Sequence, residues 1–497
     1  MHQFQACIAF FVILHGAGTL AIVLVDFENP VRSSAEDEIK SLPHLAEPIT
    51  FRQYSGYLKA DKDGLKFLHY WFIEATEQPA DKPVLVWLNG GPGCSSLEGL
   101  FRELGPFEID GNGTEVKLRQ YTWNKLANVL FLESPAGVGY SYSKRYFCYE
   151  DDDTAASENL RSLRSFYEKF PNFRKNPLFL SGESYAGIYL PTLAVLLDAE
   201  EDINLRGVAI GNGYMDALKL RESQVYFAYH HGLLGKTIWD QLSAKCCNGK
   251  PPARENCVLG GRQMAQDCAR DVLTSIDNQL SVPGLCADNI YAPCPAGGRA
   301  CGQLTRPMID AQLNKIIGSQ CDGLQSRVQL FDFQKDYSTK GSAASLCNQA
   351  DGLTKYLNDK QVRNSLHIPN QLGSWTVCGY INYTIVYPLQ PDGIAPQMIE
   401  LINSKRNLTM LVFNGDTDLV CNSLGNEWFV DALGRKVIVD YAPWKVDKQV
   451  AGWVKHYDGI SFATVRGAGH RVPESRPKEV FDLMGALLSS MGASVRL

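Results

Sequence analysis

The sequence predicts an α/β fold with a mostly parallel central sheet, and three observations carry that prediction. Short apolar runs alternate with stretches of helical periodicity, the pattern of a sheet covered on both faces by its crossover helices. Most of these runs end in Gly or Ser, at the carboxyl ends of the strands where such sheets place their ligands. The pattern breaks off near residue 216 and resumes after residue 351. That favours one interrupted core carrying a cap over two tandem domains.

Residues 1–25 read as a secretory signal, with an apolar stretch from Ala6 to Leu14 followed by the small residues Gly16, Ala17 and Gly18. No later segment reaches the roughly 18 uninterrupted apolar residues of a spanning helix, so no membrane span is expected in the mature chain. The first part of the core, 26–215, opens with two strand-like runs, Ser55 to Lys59 and Leu65 to Glu74. They are joined by the turn residues Asp61 to Gly64. A buried strand from Pro83 to Leu88 leads into Asn89, Gly90, Gly91, Pro92 and Gly93. This turn lacks the spacing of a phosphate-binding loop, and reads as a loop whose backbone N–H groups face a substrate oxygen.

A further strand, Asn128 to Leu132, ends in the turn Glu133 to Tyr140, and helical periodicity follows from Glu158 to Lys169. Gly207 to Ile210 is a short strand ending at Gly211, Asn212 and Gly213. Residues 216–350 lose the strand signals and gather cysteines, which predicts a helical, disulfide-stapled cap over the site. The second part of the core, 351–497, restores the sheet with Met410 to Phe413 and Ile460 to Val465.

Composition narrows the function classes. A net charge of −6, with acids and bases mixed along the chain, argues against a nucleic-acid partner. Fourteen cysteines behind a secretory start point to disulfides. Zinc is not expected, because Cys246, Cys247, Cys257, Cys268, Cys286, Cys294, Cys301 and Cys321 lack C-x-x-C pairing and no histidine interleaves them. Sequons at Asn112, Asn382 and Asn407 fit the secretory route as glycosylation candidates.

The chemistry centres on Pro177 to Ile188. The apolar run Leu178 to Leu180 reads as a buried strand, and Ser184 follows between Gly182 and the small pair Ala186 and Gly187. A serine on such a strand-to-helix turn is the nucleophile elbow of an α/β-hydrolase. Its hydroxyl needs an imidazole to take the proton and a carboxylate to fix the tautomer. Asp418 and His470 each follow a separate late strand, and the order Ser184, Asp418, His470 is that of this fold. Taken singly, Asp416 and Asp418 also read as turn formers and His470 as a cap. Of the two aspartates Asp418 is preferred for the triad, with Asp416 bracing the turn.

Trp87 to Ser96, Leu132 to Gly139, Gly182 to Gly187, Gly415 to Asp418 and Gly467 to His470 together resemble the signature motifs of the serine carboxypeptidases. The resemblance implies an α/β-hydrolase fold and release of C-terminal amino acids from peptides at acidic pH, through an acyl-enzyme and without a cofactor. It gives the oxyanion hole to the N–H groups of Gly91 and Tyr185. It gives recognition of the substrate's terminal carboxylate to Asn89, Glu103 and Glu183, with Trp87 nearby. Two adjacent carboxyls facing an anionic substrate end must share protons, a device that an endopeptidase would not need.

The same resemblance implies disulfides joining Cys94 to Cys378 and Cys294 to Cys347, two staples among Cys246, Cys247, Cys257 and Cys268, and a free Cys421. It implies a precursor cut within the cap, for which Arg327 to Lys340 is suited. Lysosomal or secreted localisation, a homodimer and a complex with lysosomal glycosidases also follow from it. Transfer of the acyl group to an alcohol, known in plant relatives, is the rival chemistry. One departure stands beside the histidine, where Arg471 replaces the family's usual methionine. That cation either favours acidic leaving residues or pairs with Glu474.

Overall fold

The computed structural model describes residues 30–144, 149–257, 259, 268–282, 284–293, 349–379 and 381–490. The expected signal peptide, the Cys294–Cys347 pair, the Arg327 to Lys340 stretch and Cys148, Cys301 and Cys321 lie outside these residues.

The amino-terminal strands are β1 (Gln53–Lys59), β2 (Lys66–Ile73), β3 (Val84–Leu88), β4 (Phe107–Ile109), β5 (Val116–Leu118) and β6 (Asn128–Leu132). Next come β7 (Tyr142–Ser143), β8 (Tyr149–Asp151), β9 (Leu178–Ser184), β10 (Leu205–Gly213) and β11 (Asn382–Thr384). The last are β12 (Thr409–Gly415), β13 (Val437–Val446), β14 (Gln449–Tyr457) and β15 (Ile460–Val465). One sheet has the order β1-β2-β6-β3-β9-β10-β12-β15-β14-β13, with β7 on β2. From β6 to β15 every neighbouring pair is parallel. The β1–β2 and β13–β14 hairpins add antiparallel edges at either end. This is the α/β-hydrolase architecture.

The central strands carry unbroken apolar runs rather than an alternation, because both faces of the sheet are buried. Val84, Val86, Leu178, Leu180, Met410 and Val412 pack into one core, against helices α1 (Asp152–Lys169) and α2 (Ala186–Asp198). Their alternates Leu85, Trp87, Phe179, Leu411 and Phe413 enter a second core, against the helix Pro477–Ser490.

Helix α1 begins six residues before the periodicity suggests. Asp151 caps it by accepting from the Thr154 N–H at 2.8 Å, and Asp152 and Asp153 in its first turn suit the positive end of the helix dipole. The β13–β14 hairpin was not anticipated either. Residues 437–441 of β13 are largely exposed, so its apolar and polar residues do not alternate as in a half-buried strand.

The described part of the 216–350 segment is helical: α3 (Ala217–His230), α4 (Lys236–Cys246) and α5 (Thr274–Leu280). Val225, Leu242, Val272 and Ile276 form a small core of their own, into which Leu419 packs from the β12 side. Disulfides Cys246–Cys268 and Cys247–Cys257 staple it, which settles the pairing among those four cysteines. Cys94–Cys378 ties the glycine-rich loop after β3 to the carboxyl-terminal half, 284 residues away.

The stabilisation a disulfide confers through the unfolded chain grows with the length of the loop it closes. Cys378→Ala is expected to cost about 6 kcal/mol and Cys257→Ala about 3 kcal/mol by that relation. Denaturant-unfolding midpoints should therefore fall further for the first variant than for the second; equal midpoints would contradict the chain-entropy account.

Candidate active site

Ser184 is the last residue of β9, and its φ of 61° lies in the left-handed region. That conformation is costly for a residue with a side chain and is held by its surroundings. The surroundings are tight: a Cβ on Gly182 would lie 2.2 Å from the Leu88 carbonyl oxygen and 2.8 Å from Ala186 Cβ. Beyond the turn, the Tyr214 N–H donates to the Ser184 carbonyl at 2.8 Å and so fixes the elbow to the end of β10.

The glycine-rich loop packs directly on this elbow, since a Cβ on Gly90 would sit 2.4 Å from the Tyr185 nitrogen. Gly93 N–H donates to Tyr189 Oη at 3.2 Å, tying the same loop to α2. The Tyr185 hydroxyl donates to Asp152 Oδ1 at 2.7 Å, and that carboxyl also receives the Tyr383 hydroxyl and the Val386 and Tyr387 N–H groups. Gly91 and Tyr185, the expected oxyanion pair, therefore sit on two segments in mutual contact.

Adjacent parallel strands β10, β12 and β15 supply the remaining groups. Asp418 is fully buried, and its Oδ2 lies 2.7 Å from His470 Nδ1. The same oxygen accepts from Asn212 Nδ2 at 2.8 Å and the Cys421 N–H at 3.2 Å, while Oδ1 accepts from the Val420 N–H at 2.8 Å. Burial pulls the imidazole's pKa down, but the charge and hydrogen bond of Asp418, aided by Asp288, outweigh it and lift the value to about 9. Asp416 accepts instead from the Gly467 N–H at 2.6 Å, clamping the turn before the histidine. Cys421 is a buried free thiol whose pKa burial pushes well up. Its ligand atom, with those of Asp418 and His470, falls within 4.8 Å of the others. The donors around Asp418 already occupy both of its oxygens.

Beside the elbow lies a second polar cluster. Trp87 Nε1 donates to Asn89 Oδ1 at 2.7 Å, and Gly99 N–H donates to the same oxygen at 3.1 Å. With its carbonyl so fixed, Asn89 points Nδ2 at Glu103 Oε1 and Glu183 Oε1, each 3.0 Å away. Both glutamates are buried. Burial pushes Glu103 up to about 7. Burial and the neighbouring Glu103 push Glu183 well above the carboxylate range. The pair thus holds protons that an ordinary glutamate would have lost.

Arg471 makes the anticipated pair with Glu474. Its Nε donates to Glu474 Oε2 at 2.6 Å, and Nη1 lies 3.5 Å from Glu98 and 4.0 Å from Asp288. Arg102 bridges Glu98 and Glu474 at 3.1 and 2.8 Å. Carboxylates of the chain itself therefore already match the charge of Arg471. Asn212, which holds Asp418 at φ 39°, was visible in the sequence only as the centre of a Gly-Asn-Gly strand end.

Fold and elbow define this chain as an α/β-hydrolase. Its family is narrower: the model described as serine carboxypeptidase matches residues 43–490, and the chain belongs to that family. It is 39% identical over 463 residues to the lysosomal protective protein of Mus musculus, covering 91% of this chain and 94% of the mouse protein. It is 35% identical over 476 residues to the serine carboxypeptidase ctsa-4.1 of Caenorhabditis elegans, covering 93% and 94% of the two chains. The prohormone-processing carboxypeptidase Kex1 of Saccharomyces cerevisiae shares the fold, with a TM-score of 0.65 at 22% identity, over 92% of this chain and 96% of the yeast one.

Removing the Asn212 donor leaves Asp418 buried with one partner fewer, at a cost of about 1–3 kcal/mol. Asn212→Ala is expected to lower kcat by about tenfold with KM little changed. Steady-state kinetics on a blocked dipeptide checks it, and a variant with the wild-type kcat would remove Asn212 from the account.

Proposed function

We propose that this serine carboxypeptidase attacks the last peptide bond with Ser184, using His470 as the base and Asp418 to orient it. The imidazole accepts the serine proton, the tetrahedral oxyanion is met by the N–H groups of Gly91 and Tyr185, and the protonated imidazole then releases the terminal amino acid. Water repeats the cycle on the acyl-enzyme. The single observation that carries the exopeptidase reading is the Asn89–Glu103–Glu183 cluster, with Glu183 next in sequence to the nucleophile. A protonated carboxyl pair donates to a substrate carboxylate, whereas an ionised pair repels it. The same cluster favours peptide hydrolysis over acyl transfer to an alcohol.

Two ionisations then oppose each other. Carboxylate recognition is present below about pH 7 and is lost as Glu103 ionises. Base catalysis improves as His470 loses the proton that Asp418 stabilises. Release of amino acids from peptides should therefore level off above neutrality and fall relative to hydrolysis of a matching ester without a free carboxylate, which should keep rising.

We also assign the chain to the secretory route, lysosomal or secreted. The three disulfides among the described residues suit an oxidising compartment, and the sequon residues Asn112 and Asn407 are exposed. A homodimer and a protective complex with lysosomal glycosidases rest on the likeness to the mouse protective protein and are tested by co-purification with an inactive Ser184→Ala chain.

The first experiment follows leucine release from an N-acylated Phe-Leu against pH, beside the corresponding ester. The ratio of peptide to ester hydrolysis should fall above about pH 7, with both activities abolished in Ser184→Ala; parallel profiles would overturn the carboxyl-pair reading. Glu103→Gln replaces the carboxyl that ionises near neutrality by an amide that cannot. It should move the loss of peptide recognition to higher pH, seen mainly as a KM that no longer climbs near neutrality. An unmoved loss would exclude Glu103 from it.

A further inference from the structure

Outside the triad itself, the segment Ala287–Ile290 is bound to both loops that carry its acid and base. The Ala287 carbonyl accepts from the Leu419 N–H at 2.8 Å, and the Ile290 N–H donates to the Thr417 carbonyl at 3.0 Å. These two bonds flank Asp418 on either side. Between them the Asp288 carbonyl accepts from the backbone N–H of His470 itself at 2.6 Å. The Thr417 hydroxyl lies 2.9 Å from Asn289 Oδ1 and 2.7 Å from the Ala468 carbonyl, bridging the segment to the histidine loop. The fit leaves no slack: a Cβ on Gly469 would come within 2.4 Å of the Asp288 oxygen and 2.6 Å of Asn289 Cβ.

This segment belongs to the inserted cap, not to the sheet that bears the triad. We propose that Ala287–Ile290 is a strap that sets the spacing of Asp418 and His470, with Asn289 as its positioning side chain, so that the cap is part of the catalytic apparatus. The proposal rests on the triad reading above. A strap of this kind acts on turnover rather than on substrate capture, because the Asn89–Glu103–Glu183 cluster stands on other segments. Asp418, Asp288 and Arg471 are the charged groups facing the imidazole, so a displaced loop also changes the pH at which it deprotonates.

The test uses the full chain and an organophosphate that labels a nucleophilic serine. Labelling of the wild type, absent in Ser184→Ala, establishes the triad reading independently; failure there would sink the reading itself. Given labelling, Asn289→Ala and the wedge Gly469→Ala should each lower kcat and the labelling rate at least tenfold, with KM within twofold. Their apparent imidazole pKa should fall as the hold of Asp418 weakens. Asn289→Asp keeps an oxygen for the Thr417 hydroxyl and should recover most of the loss. Tyr291→Ala, which trims an exposed ring just past the strap, should behave as wild type. Should Gly469→Ala fail to fold, Asn289→Ala against Asn289→Asp decides alone. Unchanged kcat and labelling in Asn289→Ala, or losses that Asn289→Asp does not recover, would overturn the proposal.

Discussion

The negative charge of Asp418 is the constraint to which the site answers. A carboxylate taken fully out of water is costly by several kcal/mol unless its oxygens are met by donors. Here they are met from the end of β10, from the loop after β12 and from the loop after β15, through Asn212, Val420, Cys421 and His470. Each donor that satisfies the charge also fixes the position of one segment. A buried anion thus organises the carboxyl edge of the sheet, and the imidazole is oriented as part of the same compensation.

Glu103 and Glu183 show the opposite solution to the same problem. Among the described residues no cation is hydrogen-bonded to either, Asn89 offers one amide group between them, and burial raises both above the usual carboxylate range. Arg471 stands close enough to influence both, yet it is held by Glu474 and Glu98. Asp418 is thus surrounded by donors, whereas Glu103 and Glu183 keep their protons. In the proposed mechanism that difference in environment separates an orienting role from a recognising one.

Much of this was legible in the chain. Strands buried on both faces read as plain apolar runs, so β3, β6 and β12 were evident, and the turns after them carried the residues that meet at the site. Edge elements were harder. In β13 the exposed Val437, Ile438, Val439 and Tyr441 follow one another without alternation, so only their β-branched and aromatic character hints at a strand, and Pro443 speaks against it. Tertiary contacts were harder still: Asp288 and Asn289 act mainly through backbone groups and one amide, and backbone hydrogen bonds leave no trace in residue type. The role of Arg471 lay between these cases. Glu474 at three positions' distance suggested a partner, but only folding brings Arg102 and Glu98 to the same cluster.

The Cys94–Cys378 bond has a consequence for biosynthesis. At a ribosomal pace of roughly 5–20 residues per second, the later cysteine emerges on the order of tens of seconds after the earlier one. The cap staples, separated by 22 and 10 residues, can close soon after their residues appear. Oxidation thus proceeds from the cap to the glycine-rich loop. A nascent chain carries its serine off the ribosome long before the loop that would face the oxyanion can be locked, and peptidase competence is deferred until synthesis is nearly complete.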